Sequence, residues 1–312
     1  MSPDRRAPLP SETFYLLRCR ACRVVYLKNP PPDIGRHYDS GYYAYQEPCE
    51  AHLSRSSWIY ARSLAYPKAA RHEISRPRSV LATVRYAVSR PRYEEELHFP
   101  PYRPGGRLLD VGCGSGSYLD LAKMLGWETY GVEVSPVAAS RALARNHRVH
   151  TGQLLDAAFP DGFFHHIQFW HSLEHVSDPL GTLNRAHSVL ADDGTLTIGV
   201  PNIDSLGARL FGNNWFHLDP PRHLFGFGRS SLPGLLIRAG FRICHMRTYS
   251  IPRDWVCSLH YCTTPQSQPV SARTSTRWET TILEPFCFAL KLAGVGDLLY
   301  VTADRLDGIA TK

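Results

Sequence analysis

Residues 107–133 read RLLDVGCGSGSYLDLAKMLGWETYGVE, and this stretch decides the fold. RLLDVG has the continuous apolar character of a buried parallel strand, broken only by Asp110. It runs into Gly112, Gly114 and Gly116, residues that let a chain turn sharply and another group approach its backbone. SYLDLAKMLG then has the spacing of an amphipathic helix stopped by Gly126, and WETYGVEV reads as a second strand ending near Glu133. Strand, glycine loop, helix, strand and acid in this order form a mononucleotide-binding unit for an adenosine cofactor.

The alternation continues outward from this unit. SPVAASRALARN is a helix with Ser135 at its N-cap and Pro136 at its first position. A short strand lies near Val149, and HIQFW is the next. DPLGTLNRAHSVL is a helix, TLTIGVP a strand, SSLPGLLIRAGF a helix stopped at Gly240, and FRICHMRTYS a strand. DLLYVTADR closes the series. The pattern predicts an α/β fold, a Rossmann-like, mostly parallel sheet with helices on both faces and an N-terminal extension. We divide the chain into an N-terminal segment over 1–50, a basic helical cap or linker over 51–104 ending in FPPYRPGG, and an α/β domain over 105–312. An insertion at about 252–296, partly helical, interrupts that domain. The composition, 43% hydrophobic and 20% charged, supports a substantial core. No apolar run is long enough for a transmembrane helix, and the first residues have no secretory h-region, so a cytoplasmic location is expected. The net charge of +7 is spread along the chain and reads as a solvated basic surface, with no nucleic-acid partner expected.

Charge selects among the adenosine cofactors. A dinucleotide fingerprint is G-x-G-x-x-G, whereas here Ser117 holds the third glycine's place. Asp110, at the mouth of the loop, would repel a pyrophosphate and attract a cation. S-adenosylmethionine carries a sulfonium and an ammonium and no phosphate. Glu133 is spaced to accept both ribose hydroxyls.

LLDVGCGSG, GVEVSP, WHSLEHVSDP, LTIGVPN and PPRHLFGFGRSSLPGLLIRAGF resemble the class I S-adenosylmethionine-dependent methyltransferases. The subgroup is that of the ubiquinone-biosynthesis O-methyltransferases and bacterial sugar or natural-product methyltransferases. The resemblance covers about residues 105–250 and the last strand. It implies a seven-stranded sheet whose final strand is antiparallel, with methyl transfer to a small molecule, most readily at a hydroxyl. It further implies a cofactor site of Asp110, Gly112, Cys113, Gly114 and Gly116 at the methionine end, Glu133 and Val134 at the ribose, Gln153 and Leu154 by the adenine, and Trp170. Gln153 stands where the family has an acid.

Methyl transfer needs the acceptor held in line, and a hydroxyl acceptor needs a base near neutrality. His171, Glu174 and His175 follow the fourth strand, beside the crevice. His171 or His175 can act as base or orient the acceptor. Glu174 and His175 can equally cap or pack the turn. In the resembled O-methyltransferases this segment can contribute ligands to a divalent metal, here the triple His171, Glu174 and His175. A histidine at its first place disfavours Mg²⁺, and no magnesium or zinc is expected. Arg222 and His223, in PPRHLFGF, and Trp215 are candidates for the acceptor site, Arg222 through an anionic group on the acceptor. The alternative for Arg222 and His223 is that they clip the loop to the sheet.

Cys19 and Cys22 form a C-x-x-C resembling half of the zinc ribbon that precedes many relatives. The other half is missing, and Cys49, His37 and His52 are poorly spaced to replace it, so a metal-free remnant is expected. Two other functions stand beside the methyltransferase reading, an NAD-dependent oxidoreductase and a catalytically inactive binding protein of the same fold.

Overall fold

The structure, a computed structural model, describes residues 2–3, 13–38, 100–101, 103–264 and 277–306. The cap expected over 51–104 therefore falls almost wholly outside the described residues, as do Cys49 and His52. The N-terminal part contributes β1 (Ser2–Pro3), β2 (Thr13–Phe14), β3 (Leu16–Arg18) and β4 (Val25–Leu27). The main domain opens with β5 (Arg107–Val111), α1 (Ser117–Met124), β6 (Glu128–Glu133), α2 (Pro136–Ala144) and β7 (Arg148–Thr151). It continues through β8 (Phe164–Trp170), α3 (Pro179–Val189), β9 (Leu190–Pro201) and α4 (Leu206–Phe211). The short β10 (Phe225–Gly226) follows, then α5 (Leu232–Arg238) and β11 (Phe241–Tyr249). The insertion folds as α6 (Pro252–Thr263) and α7 (Arg277–Ala293), before β12 (Leu298–Arg305).

Seven strands form one sheet in the order β11-β12-β9-β8-β5-β6-β7, with β12 antiparallel to both neighbours. β5 pairs in parallel with β6 on one side and β8 on the other. The chain leaves β5 outward to β6 and β7, then returns to β8 and proceeds the other way. The topological switch point thus lies between β5 and β8, where the loops at their carboxyl ends open a crevice.

Local chemistry sets the helix ends. Ser135 Oγ accepts from the Ala138 amide at 3.3 Å, and Asp178 Oδ1 accepts from the Gly181 amide at 2.9 Å, each ahead of a proline at the first helical position. Alternation along β5 sends Leu109 and Val111 into the core beneath α3 and α5, with Ile167, Phe169, Leu183, Leu196 and Leu236. Leu108 packs on the opposite face with Leu119, Ala122, Leu125 and Trp127. Each such fully buried side chain contributes about 1.5–3 kcal/mol. Asp110 shares the parity of Leu108, so the strand that buries leucines also buries an acid.

The N-terminal segment is fastened to the domain through β10 and the loop before it. β4 pairs antiparallel with β10, and β3 extends the pair to a three-stranded sheet. The Leu27 amide donates to the Leu224 carbonyl at 2.9 Å, and Arg18 pairs with Asp204 at 3.1 Å. Cys19 and Cys22 are free thiols on the turn between β3 and β4. Among the described residues they belong to no group of three or more metal-type ligands. No helix among the described residues is long and apolar enough to cross a membrane.

Candidate active site

The glycine loop after β5 is closed against β8. Gly112 has φ +84°, and a Cβ there would lie 2.6 Å from Cβ of Ser172. Gly116, at φ +87°, would meet Ala142 and His147 of the α2 region at 3.0 Å. These two glycines make room for neighbouring protein. Cys113 is buried, and its thiol lies where a Cβ on Gly131 would stand, 2.5 Å away. Its side chain therefore packs between α1 and β6, and burial pushes the thiol pKa up.

Glu133 ends β6 with its carboxylate turned back to the loop. Oε2 accepts from the Gly114 amide at 2.9 Å and Oε1 from the Ser135 amide at 2.8 Å. Burial raises its pKa, against the pull of those two bonds. Asp110 is buried nearby, and its carboxyl is pushed up to about 7. Burial is the larger cause and Glu133's charge adds to it, while Gln168 opposes both. No lysine or arginine occurs between Arg107 and Lys123. Two buried acids without a basic partner on the loop suit a cationic ligand that lacks phosphate. The buried Ser172 hydroxyl also faces this junction with no hydrogen-bond partner. The residues present thus fit S-adenosylmethionine. Val134 is exposed next to Glu133, and Gln153 is exposed at the start of the turn after β7. Leu154 is buried in the core, so its side chain supports that turn from beneath.

Trp170 ends β8 with its ring over Gly199, where a Cβ would lie 2.4 Å from the indole. His171 follows in the left-handed region at φ +51°, its amide bonded to the Gly199 carbonyl at 2.8 Å. A non-glycine residue held there stores strain of about 1–3 kcal/mol, a cost that clusters at working sites. His171 Nδ1 lies 3.5 Å from Oε1 of Glu174. Its ring is parallel to that of His217, with centroids 6.4 Å apart. His217 Nε2 is 2.9 Å from Oδ2 of Asp254, at the start of α6. Burial would raise the Asp254 pKa, but His217, Arg253 and His171 outweigh it and hold the carboxyl down.

Glu174 is 1% exposed, and neither carboxylate oxygen has a donor in hydrogen-bonding geometry. Burial opposes its charge, yet His171, His175 and His223 hold its pKa down at about 2. Its carbonyl accepts from the Leu224 amide at 2.9 Å, which brings the PPRHLF loop onto the turn after β8. His175 Nδ1 is 2.9 Å from the Arg222 carbonyl and 3.0 Å from the Tyr38 hydroxyl of the N-terminal segment. His223 Nδ1 is 2.8 Å from the His217 carbonyl, and the rings of His175 and His223 stand edge to face, 4.7 Å apart.

Two of the residues considered for the acceptor site, Arg222 and Trp215, with clipping the loop and plain core packing as their alternatives, are buried and engaged by protein groups. Arg222 is 2% exposed, and its guanidinium grips Asp219 through Nε at 3.1 Å and Nη2 at 2.6 Å. Nη1 donates to the His37 carbonyl at 3.0 Å, so Arg222 clips the loop and N-terminal segment together. Trp215 is buried with its indole N–H on Oδ1 of Asp297 at 3.0 Å, a core member and not a pocket wall. The sequence reading missed His217, Asp254 and Tyr38. His217 lies just before the PPRHLFGF loop, and nothing in the chain links it to an acid 37 residues on, or links His175 to a tyrosine in another segment.

A family profile described as "Methyltransferase domain" matches residues 85–246. The ubiquinone biosynthesis O-methyltransferase of Xanthomonas campestris pv. campestris (strain B100) is 32% identical over 108 residues, 32% of this chain and 44% of that protein. The ribosomal protein L11 methyltransferase of Ralstonia nicotianae is 48% identical over 65 residues, 20% of this chain and 22% of that protein. The chain thus spans less than half the length of these curated relatives. A solved S-adenosylmethionine-dependent methyltransferase of Archaeoglobus fulgidus is 20% identical with a TM-score of 0.48, covering 70% of this chain and 94% of that one. With the profile covering more than half of its length, the chain belongs to the S-adenosylmethionine-dependent methyltransferase domain family.

Proposed function

We propose that this methyltransferase acts on the hydroxyl of a small-molecule acceptor and that His171 is its general base. The carrying observation is the placement of His171. It sits strained at the end of β8, directly before the Ser172 that packs on Gly112, with Nδ1 toward the buried Glu174 carboxylate. Bound S-adenosylmethionine supplies an activated methyl group, so what this chain must provide is alignment and a proton acceptor. Nδ1–H of His171 directed at Glu174 leaves the Nε2 lone pair to take the acceptor's proton, and the Glu174 charge steadies the imidazolium that forms. Asp254 orients His217, whose parallel ring backs His171 and limits its rotation. Glu133 and Asp110 hold the cofactor's ribose and cationic end in this reading. A hydroxyl acceptor also accords with the O-methyltransferase name of one relative.

The test presents methyl-labelled S-adenosylmethionine to a panel of hydroxylated and aminated small molecules, with the product bond read by NMR. An O–CH₃ product is expected, and His171→Asn should lower kcat by about 10²–10⁴-fold with S-adenosylhomocysteine affinity nearly unchanged. Methylation confined to nitrogen or carbon would refute the hydroxyl reading. Loss of cofactor affinity with kcat intact would remove His171 from the base role.

A further inference from the structure

We propose that Gln168 is a positioning residue for the cofactor, its carboxamide holding the Asp110 carboxylate toward the cationic end of bound S-adenosylmethionine. This role for Gln168 rests on Asp110 meeting the cofactor's cation, as proposed above. Asp110 on β5 and Gln168 on β8 are in-register partners on adjacent parallel strands. Such partners stand about 4.8 Å apart and project to the same face of a sheet. Gln168 is fully buried and Asp110 nearly so.

The surroundings of Asp110 leave the work to Gln168. On the β6 side the in-register partner of Asp110 is Gly131, which has no side chain. Cys113 fills the space there, its thiol 2.5 Å from where a Cβ on Gly131 would stand. The charge that acts on Asp110 is that of Glu133, a second acid, which pushes the Asp110 pKa further up. No lysine or arginine lies on the loop, between Arg107 and Lys123. Gln168 works against burial and Glu133 by lowering that pKa. Its carboxamide therefore lies beside the carboxyl and favours the charged form.

The carboxamide has no other employment. Neither Nε2 nor Oε1 of Gln168 meets a partner in hydrogen-bonding geometry among the described residues. Thr197, its in-register neighbour on β9, has its hydroxyl directed at Tyr300. A buried amide without a partner is costly, and an apolar side chain of the same volume would bury there without that cost. The terminal torsion of a glutamine is soft, so a rotation brings Nε2–H onto a carboxylate oxygen of Asp110. That bond orients the carboxylate and favours the ionised state that attracts an ammonium or a sulfonium. Gln168 thus acts on the ligand through Asp110.

The test measures, by calorimetry on the full-length protein, the binding of two ligands. S-adenosylhomocysteine carries the ammonium, whereas methylthioadenosine keeps the adenine and ribose but has no charged end. Gln168→Met conserves the side chain's volume and removes the amide. It should weaken S-adenosylhomocysteine binding about five- to twentyfold and leave methylthioadenosine within about twofold. Asp110→Asn should itself weaken S-adenosylhomocysteine binding. In that background Gln168→Met should change the affinity by less than about twofold, because its effect passes through the carboxylate. Gln168→Asn draws the amide back by one methylene and should show the same selective loss, which covers a Gln168→Met chain that does not fold. Equal weakening of both ligands would make Gln168 a packing residue and overturn the proposal, as would additive losses in the double variant. Wild-type affinity in folded Gln168→Met, with Asp110→Asn weakened, would overturn the role of Gln168 alone. Wild-type affinity in Asp110→Asn, or no S-adenosylhomocysteine binding by the wild-type protein, would overturn the cofactor reading beneath it as well.

Discussion

Glu133→Gln separates the cofactor role of Glu133 from its structural one. The two carboxylate oxygens already accept the Gly114 and Ser135 amides at 2.9 and 2.8 Å. Each oxygen keeps a second lone-pair direction, and these are the directions left for the two ribose hydroxyls. Glutamine keeps one acceptor oxygen, and its NH₂ group must face either a backbone N–H or a ribose hydroxyl as another donor. One charge-assisted ribose bond is lost, at about 1.5–3 kcal/mol, which raises Kd for S-adenosylhomocysteine by roughly 10–150-fold. One backbone amide also loses its partner, so thermal stability should fall by about 1–3 kcal/mol as a second signature. Calorimetric titration with S-adenosylhomocysteine measures the affinity. The direction of the Glu133 shift adds a pH test. Wild-type affinity should weaken as pH falls through a window above the ordinary carboxylate range, and the variant should lack that loss. A variant that keeps its fold and binds within about threefold of wild type would refute the ribose assignment.

Two further predictions concern stability. His166 is buried, with Nδ1 2.8 Å from Thr195 Oγ1, and burial lowers its pKa to about 3. The unfolded chain, with an ordinary histidine near 6.5, binds the extra proton between pH 6.5 and 3, so stability falls as pH drops through that window. Urea unfolding should therefore show about 2 kcal/mol more loss between pH 7.5 and 5 in wild type than in His166→Gln, and equal losses would contradict a buried neutral ring. Asp297 accepts from Ser205, Trp215, Ser250 and Trp255 at 2.6–3.0 Å, tying the start of α4, the Trp215 segment, the end of β11, α6 and the entry to β12 together. Asp297→Ala leaves these buried donors unmet and should cost about 3–5 kcal/mol in chemical denaturation, whereas a loss under about 1 kcal/mol would show the network to be replaceable by water.

The alternating strands and helices from Leu108 to Arg305 were legible from the chain because hydrophobic period and capping chemistry are local properties. Gly126, Gly240 and Ser135 end or begin helices where their chemistry requires. The burial of Asp110 and Glu133 beside the glycine loop was legible too, because it follows from their positions at the ends of adjacent strands. The histidine cluster was only half legible. His171, Glu174 and His175 are adjacent in the chain, but His223 comes beside Glu174 only through a loop 49 residues later, held by the bond from the Leu224 amide to the Glu174 carbonyl. Arg222 looked like an anion receptor because a free guanidinium is one. Only packing showed it buried against Asp219 and the His37 carbonyl. Likewise, Tyr38 reaches His175 only because β4 adds to β10. Sequence by itself determined the sheet, the helix ends and the two acids beside the glycine loop, since these follow from periodicity and short-range spacing. Tertiary structure alone decided the partners of the four histidines, because contacts between distant segments leave no periodic trace in the chain.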